Sequence, residues 1–514
     1  MRKSFASGVA ILAAAGLVAR LFGFFSRIYL TNLTGAEGIG LYELVLPVYT
    51  AVVLTITSGI IIAVSKMVAE QNARRNRAEP GRITMCALAL VAAAGTVVSL
   101  FIFANAGAIS KSVLGDERTR NALLVLAACL PAVVAGAALK GYFYGMQLVM
   151  PTAFSQVAEQ AVKLGVLIAL SKGIAESGAE YACSIAMLTA LLGEMANLAV
   201  LSLVFAIRQK RISGISRTEK PQRKRKIVAC LLKSAVPVSA NRLIVSTLSA
   251  AEFILIPVML EAGGLDNKSS MEMFGRLTGM ALPLIMFPSL ITNSLATSLV
   301  PAISESVTLK NRKSVGYQVS KSIQATFILG IFFSSLFLCY PDDIGSLIYR
   351  RENIGDLLFM LSFSCAFVYL QQTMAGIMNG LGKQGILLGN TVIGSALRIG
   401  AIYFLVPVLG VKGYIAGFII SLVLAEILNL SAIHKITGMV FDLRNWLIKP
   451  GLVGFAVVLT GKFIRRFFDI LQLGAPLATL LSLSASTLTA AFLFAAAGVL
   501  KPQEILRTVG LKKG

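Results

Sequence analysis

Long apolar runs separated by short polar clusters recur from one end of this 514-residue chain to the other. A bilayer offers backbone N–H and C=O groups no water to bond, so each crossing needs about 20 consecutive apolar residues wound into a helix. The runs predict spans over 5–30, 41–66, 84–106, 121–145, 152–172, 180–207, 228–261, 271–305, 316–340, 355–380, 385–408, 412–434, 448–469 and 474–500. These fourteen segments define an all-α polytopic membrane protein. Only 14% of the residues are charged, against about a quarter in a soluble domain.

The 47 Lys and Arg against 24 Asp and Glu give a formal net charge of +23. In a soluble protein that excess suggests nucleic-acid binding; in a membrane protein the question is where the charges lie. With the N-terminus in the cytoplasm, 28 basic residues fall in inner loops and tails and eleven in outer loops. Cytoplasmic loops are enriched in Lys and Arg, which predicts a cell-membrane protein with both termini inside and no nucleic-acid partner. Met1-Arg2-Lys3 before an apolar stretch also has the look of a signal peptide. Cleavage would delete the first span and reverse every later loop, against the charge pattern.

Eight basic residues remain within the spans: Arg20, Arg27, Lys140, Lys163, Lys233, Arg242, Arg276 and Arg398. An intramembrane charge costs about 2.5–3.5 kcal/mol on insertion scales and so faces a cavity or a partner, or snorkels to the interface from a span end. Lys233 and Arg276 sit where snorkelling suffices, and Arg27 and Lys140 are nearer span ends than Arg20, Lys163, Arg242 and Arg398. The intramembrane acids are Glu43, Glu159, Glu194, Glu252, Glu426 and, at a span end, Glu305. Glu159 precedes Lys163 by four residues, the spacing of a local helical ion pair. Glu194 and Glu426 suit capping or packing, and Glu43 is placed to be a gate partner for a first-span arginine. Several basic residues around one cavity would select anions, with Arg matching phosphate oxygens bidentately.

The chain also repeats itself. Gly141-Tyr-Phe-Tyr-Gly145 and Gly376-Ile-Met-Asn-Gly380 are 235 positions apart, as are Lys163 and Arg398. Pro47 and Pro283, and Glu194-x-x-Asn197 and Glu426-x-x-Asn429, recur at nearly the same offset. An offset of six spans predicts two pseudo-symmetric six-helix lobes inserted with the same orientation, an arrangement in which substrate binds between halves that alternate access. The expected organisation is an N-lobe over 1–207, a basic cytoplasmic linker over 208–227, a C-lobe over 228–434, and two extra helices with a tail over 435–514.

Other chemistry finds no host. Gly380-Leu-Gly-Lys383 is followed by Gln384 and preceded by no strand, so it is no phosphate loop. The six cysteines are scattered through apolar runs, and the single histidine, His434, has no metal or nucleophile partner nearby in sequence. Neither a catalytic site, nor a metal site, nor an organic cofactor is expected.

Thr34-Gly-Ala-Glu-Gly-Ile-Gly-Leu-Tyr-Glu-Leu-Val-Leu-Pro47, Val64-Ser-Lys-Met-Val-Ala-Glu70, Leu282-Pro-Leu-Ile-Met-Phe-Pro288 with Val300-Pro-Ala-Ile-Ser-Glu305, and Gly380-Leu-Gly-Lys-Gln384 resemble the stage V sporulation protein B group. That group lies in the multidrug/oligosaccharidyl-lipid/polysaccharide (MOP) exporter superfamily, with the MurJ-type lipid II flippases. The resemblance covers essentially the whole chain. It implies a fourteen-helix, two-lobed bundle, a groove for a polyprenyl tail near the last two spans, and a role for first-span arginines, here Arg20 and Arg27. The first span lacks the acidic residue that several drug-exporting relatives use for coupling.

The leading expectation is a flippase for an undecaprenyl-pyrophosphate-linked cell-wall precursor, lipid II or a related lipid-linked oligosaccharide. Arg20, Arg27, Lys163, Arg242 and Arg398 would bind its pyrophosphate, with Glu43 and Glu252 as gate or coupling groups. The driving force would be an ion gradient, the membrane potential or consumption of product. The alternatives are a cation-coupled exporter of drugs or metabolites, and a non-transporting scaffold that recruits cell-wall or spore-cortex synthases.

Overall fold

The computed structural model describes residues 2–74, 76, 78–176, 178–213, 223–350, 352–471 and 474–498, with the backbone alone for 2–15, 175–176 and 211–213. Much of the expected linker, 214–222, lies outside the described residues, as does the tail beyond 498.

In chain order the α-helices are α1 (Arg2–Ala73), α2 (Glu79–Ala108), α3 (Arg120–Gly145), α4 (Met150–Ala169), α5 (Ser171–Glu176), α6 (Ala179–Ser213) and α7 (Lys224–Ala262). They continue with α8 (Asn267–Phe274), α9 (Leu282–Met286), α10 (Ser289–Thr308), α11 (Arg312–Cys339), α12 (Pro341–Ile348), α13 (Gly355–Ser362) and α14 (Cys365–Gly380). Last come α15 (Gln384–Leu409), α16 (Val411–Thr437), α17 (Lys449–Ile470) and α18 (Ala475–Ala496); no strand occurs among the described residues. Many hydroxyls inside the spans bond their own helix, as Thr31 does to the Arg27 carbonyl (2.8 Å) and Thr57 to that of Val53 (2.7 Å), which satisfies those donors away from water.

Ten described helices are long and apolar enough to cross a membrane, or up to twelve if each of two bent pairs is one span. The expected count of fourteen is therefore not reached by this criterion. The first two expected spans form one continuous element, α1, broken only at Gly35, whose φ of 69° is open to glycine. The fifth, α4, carries Gln156, Glu159, Gln160 and Lys163, which lower its apolar character. The eighth and tenth are the bent pairs, 55° between 267–286 and 289–308 and 54° between 355–362 and 365–380. Large apolar side chains on the outside, such as Phe463, Leu488 and Phe492, are more than 70% exposed, which suits a lipid-facing surface. The protein is a multi-pass membrane protein.

The chain divides into two compact units, one of residues 1–258 with 266–275 and one of residues 259–265 with 276–514. This boundary differs from the expected one in the 208–227 linker. Ile227, Leu231 and Ala235 of α7 are buried in the same cluster as Val64, Val68, Tyr142, Phe143 and Phe205, so the start of the seventh span packs with α1, α3 and α6.

Within each unit the repeat appears as matched packing. Gly141 and Gly145 of α3 press on Ile61, Ser65 and Val68 of α1; Gly376 and Gly380 of α14 press on Ala296, Val300 and Ile303 of α10. Ile61 and Ala296, Ser65 and Val300, and Val68 and Ile303 are each 235 positions apart, the offset of the glycines themselves. In the second unit α17 and α18 dock on α11 and α12: the Tyr340 hydroxyl donates to the Gly461 carbonyl (2.8 Å) and pairs with Ser486 Oγ (2.6 Å), and Arg465 meets Asp343 at 2.7 Å. Tyr340→Phe removes one buried hydroxyl with two partners and should lower stability by about 1 kcal/mol, read as an earlier thermal unfolding midpoint in detergent.

Candidate functional site

In the first unit, α4 presents Gln156, Glu159, Gln160 and Lys163 at helical spacing along one face. Gly23 of α1 lies against Gln160, where a Cβ would come within 3.3 Å of Oε1. The polar face of α4 thus meets the first span. Lys163 Nζ donates to Glu159 Oε1 (2.6 Å), and Asn197 Nδ2 from α6 donates to Glu159 Oε2 (2.9 Å) and, at 3.4 Å, to Glu194 Oε2. Across the Gly35 break, Arg27 Nη2 donates to Glu43 Oε1 at 2.6 Å, with side-chain exposures of 29% and 5%. Both ion pairs belong to the first unit, one within α1 and one on the polar face of α4 that meets it.

The other expected residues divide by environment. Arg20 and Arg242 are exposed, and their side chains have no hydrogen bond or ion pair among the described residues. Glu252 is buried, 4% exposed. Arg398 belongs to the second unit, where its Nε donates to Ser421 Oγ (2.9 Å) and its guanidinium lies 4.9 Å from the Phe418 ring centre. One turn before Arg398 stands Gly394, at the repeat position of Glu159, so the two repeat-related cations differ: Lys163 has a carboxylate on its own helix and Arg398 has none there. The Glu-x-x-Asn motif makes the same long contact in both units, 3.4 Å for Asn197 to Glu194 and 3.5 Å for Asn429 to Glu426.

Sequence reading treated Arg118 only as an outer-loop charge, yet it ties three segments of the first unit. It donates to both oxygens of Asp116 (from 2.7 Å), to Glu37 Oε1 (2.5 Å) and to Asn267 Oδ1 (2.9 Å). The second half of α8 lies close against the backbone of α1: a Cβ on Gly40 would overlap the Met271 carbonyl, and one on Gly275, just past the helix end, the Ala36 carbonyl. Neither feature has a local sequence signal, because most of the partners are far apart in the chain, Arg118 and Asn267 by 149 residues and the glycine contacts by still more. Arg118→Ala should loosen the start of α8, seen as at least about tenfold faster amide exchange over 266–275.

The first 5–307 residues match the model of the polysaccharide biosynthesis protein family. Among curated proteins the chain is similar to stage V sporulation protein B of Bacillus subtilis, at 27% identity over 90% of this chain and 89% of that one. It is also similar to the lipid II flippase MurJ of the same organism, at 23% identity over 76% of this chain and 75% of that one. Among solved structures it shares the fold of a lipid II flippase MurJ in an inward closed conformation, with a TM-score of 0.67, 12% identity, and coverage of 96% of this chain and 100% of that one. An inward-facing multidrug resistance MATE family transporter of the MOP superfamily has the same TM-score, 0.67, at 14% identity over 82% of this chain and 94% of that one. The fold alone therefore does not choose between the substrates of those proteins. The chain belongs to the polysaccharide biosynthesis protein family.

Proposed function

We propose that this protein is a flippase that carries a polyprenyl-pyrophosphate-linked oligosaccharide, of the lipid II class, across the cytoplasmic membrane by alternating access, with both termini in the cytoplasm. The observation that carries the reading is the pair Arg20 and Arg242: two arginines on membrane-spanning helices, exposed and without an acidic partner among the described residues. An unneutralised guanidinium in a span is tolerated where it meets water or an anion, and the planar fork of Arg fits a phosphate oxygen pair. The similarity to the lipid II flippase of Bacillus subtilis over three quarters of both chains supports the same substrate class.

On this reading Arg20 and Arg242 are the first pyrophosphate ligands. Arg27 exchanges Glu43 for the headgroup as the substrate settles, which makes Glu43 its gate partner. Lys163, already neutralised by Glu159, contributes less. The MATE-like fold keeps a cation-coupled exporter as a second reading, with buried Glu43 and Glu252 as its hosts.

Native mass spectrometry of the purified chain with a short-chain lipid II separates the two. Arg20→Ala and Arg242→Ala should each weaken binding by about tenfold, the size of a charge-assisted hydrogen bond of roughly 1.5 kcal/mol. Unchanged binding in both variants would contradict the anion site. Glu43→Gln should strengthen binding, since Arg27 no longer has a competing carboxylate.

A further inference from the structure

A cavity of about 660 Å³ opens in the second unit where α11 begins and α16 ends. Its lining includes Arg312, Lys313 and Tyr317 from α11, and Phe441 and Asp442 from the segment that follows α16. Neither Arg312 nor Lys313 has an ion-pair partner among the described residues. Asp442 is fixed in place: its Oδ1 accepts from the Asn445 backbone (3.2 Å) and its Oδ2 from Asn445 Nδ2 (2.6 Å). Those bonds hold its carboxyl below the usual range, so it is ionised at neutral pH.

The two helix ends reinforce this separation of charge. The start of α11 brings the positive end of a 28-residue helix beside Arg312 and Lys313, and the end of α16 brings the negative end of a 27-residue helix toward Gly438. Apolar and aromatic lining residues reach the surface, with Tyr317 61%, Val440 81% and Phe441 41% exposed. Because α11 and α16 are membrane-spanning helices, their ends meet the bilayer at headgroup depth, where aromatic and apolar residues are at home. A purely anionic headgroup would leave Asp442 facing like charge, whereas a zwitterion answers both signs of charge.

We propose that this cavity binds the headgroup of a phosphoethanolamine-bearing membrane lipid, with Arg312 and Lys313 taking the phosphate and Asp442 the ammonium. The Tyr317 and Phe441 rings flank the ammonium, which is attracted to aromatic faces. The site is separate from the arginines assigned to the transported substrate and stands or falls independently of that reading.

The test is native mass spectrometry of the full chain offered equal amounts of phosphatidylethanolamine and phosphatidylglycerol, which differ in the ammonium. The wild type should retain the ethanolamine lipid over the glycerol lipid by about threefold, the scale of one exposed charge pair. Asp442→Asn should abolish the preference while leaving total lipid retained. Arg312→Ser with Lys313→Ser should lower ethanolamine-lipid retention by about threefold. Asn445→Ala loosens the same turn but keeps the carboxylate, and should preserve the preference. A wild type without preference, a preference for the glycerol lipid, or a double variant that retains as much as wild type would overturn the site. Loss of preference in Asn445→Ala as well would overturn the role of Asp442, since turn geometry rather than charge would then be responsible.

Discussion

Arg27→Ala should be among the most damaging single substitutions in the first unit, lowering stability by about 3 kcal/mol. Removing the guanidinium leaves Glu43, 5% exposed, as a lone carboxylate within a span. Breaking a buried pair from one side costs roughly 3–5 kcal/mol, most of it the stranded charge; the lower end applies because Arg27 is 29% exposed. The single change Glu43→Gln and the double variant Arg27→Ala with Glu43→Gln strand no carboxylate, and the double variant should recover most of the loss. Thermal unfolding of the four proteins in detergent closes the cycle. Additive effects of the single changes would mean the 2.6 Å contact carries no coupling.

The second large effect belongs to the repeated glycines. Gly145→Leu places a Cβ within 2.6 Å of the Ser65 carbonyl oxygen and 2.8 Å of Val68 Cβ, and Gly380→Leu places one 2.9 Å from Ile303 Cβ and 3.2 Å from the Val300 carbonyl oxygen. Overpacking typically costs about 1–3 kcal/mol. Gly145 should lie at or above the top of that range because a backbone carbonyl cannot rotate aside, while Gly380 should lie lower. Gly165→Leu, with open space around its Cβ, serves as the control, and leucine there should be neutral or stabilising because it favours helix over glycine. Equal effects at all three positions would contradict the matched packing of α3 on α1 and of α14 on α10.

What was legible in the sequence follows the range of the interaction. Spans could be read because hydropathy is local, and the GxxxG pairs because the offset of 235 recurs; the structure then adds that their partners recur at the same offset. The Glu159–Lys163 pair was legible from helical spacing and forms. The span count is the part that length and hydropathy alone do not reproduce: α4 is amphipathic, and α1 joins two helices at the Gly35 kink. The compact units divide elsewhere than the charged linker, because linker charge marks where a loop is, while core contacts of Ile227 and Leu231 tie the start of α7 to the first unit. Arg118 was missed as a hub because Glu37, Asp116 and Asn267 are brought to it only by folding.

Structure also reorders the candidate cations. Sequence depth grouped Arg20, Lys163, Arg242 and Arg398 together, but Lys163 is paired on its own helix while Arg20 and Arg242 have no such partner among the described residues. The burden of anion binding in the proposed function shifts to those two arginines accordingly.

The most direct measurement of that function is outward movement of fluorescent lipid II in proteoliposomes of the purified chain, with an inside-negative potential imposed. One elementary charge crossing 100 mV gains about 2.3 kcal/mol, so the potential should accelerate movement of the anion by wild type. Arg20→Ala with Arg242→Ala should reduce the rate by about a hundredfold, two charge-assisted contacts together. Movement no faster than in protein-free liposomes, or a double variant as fast as wild type, would contradict the account.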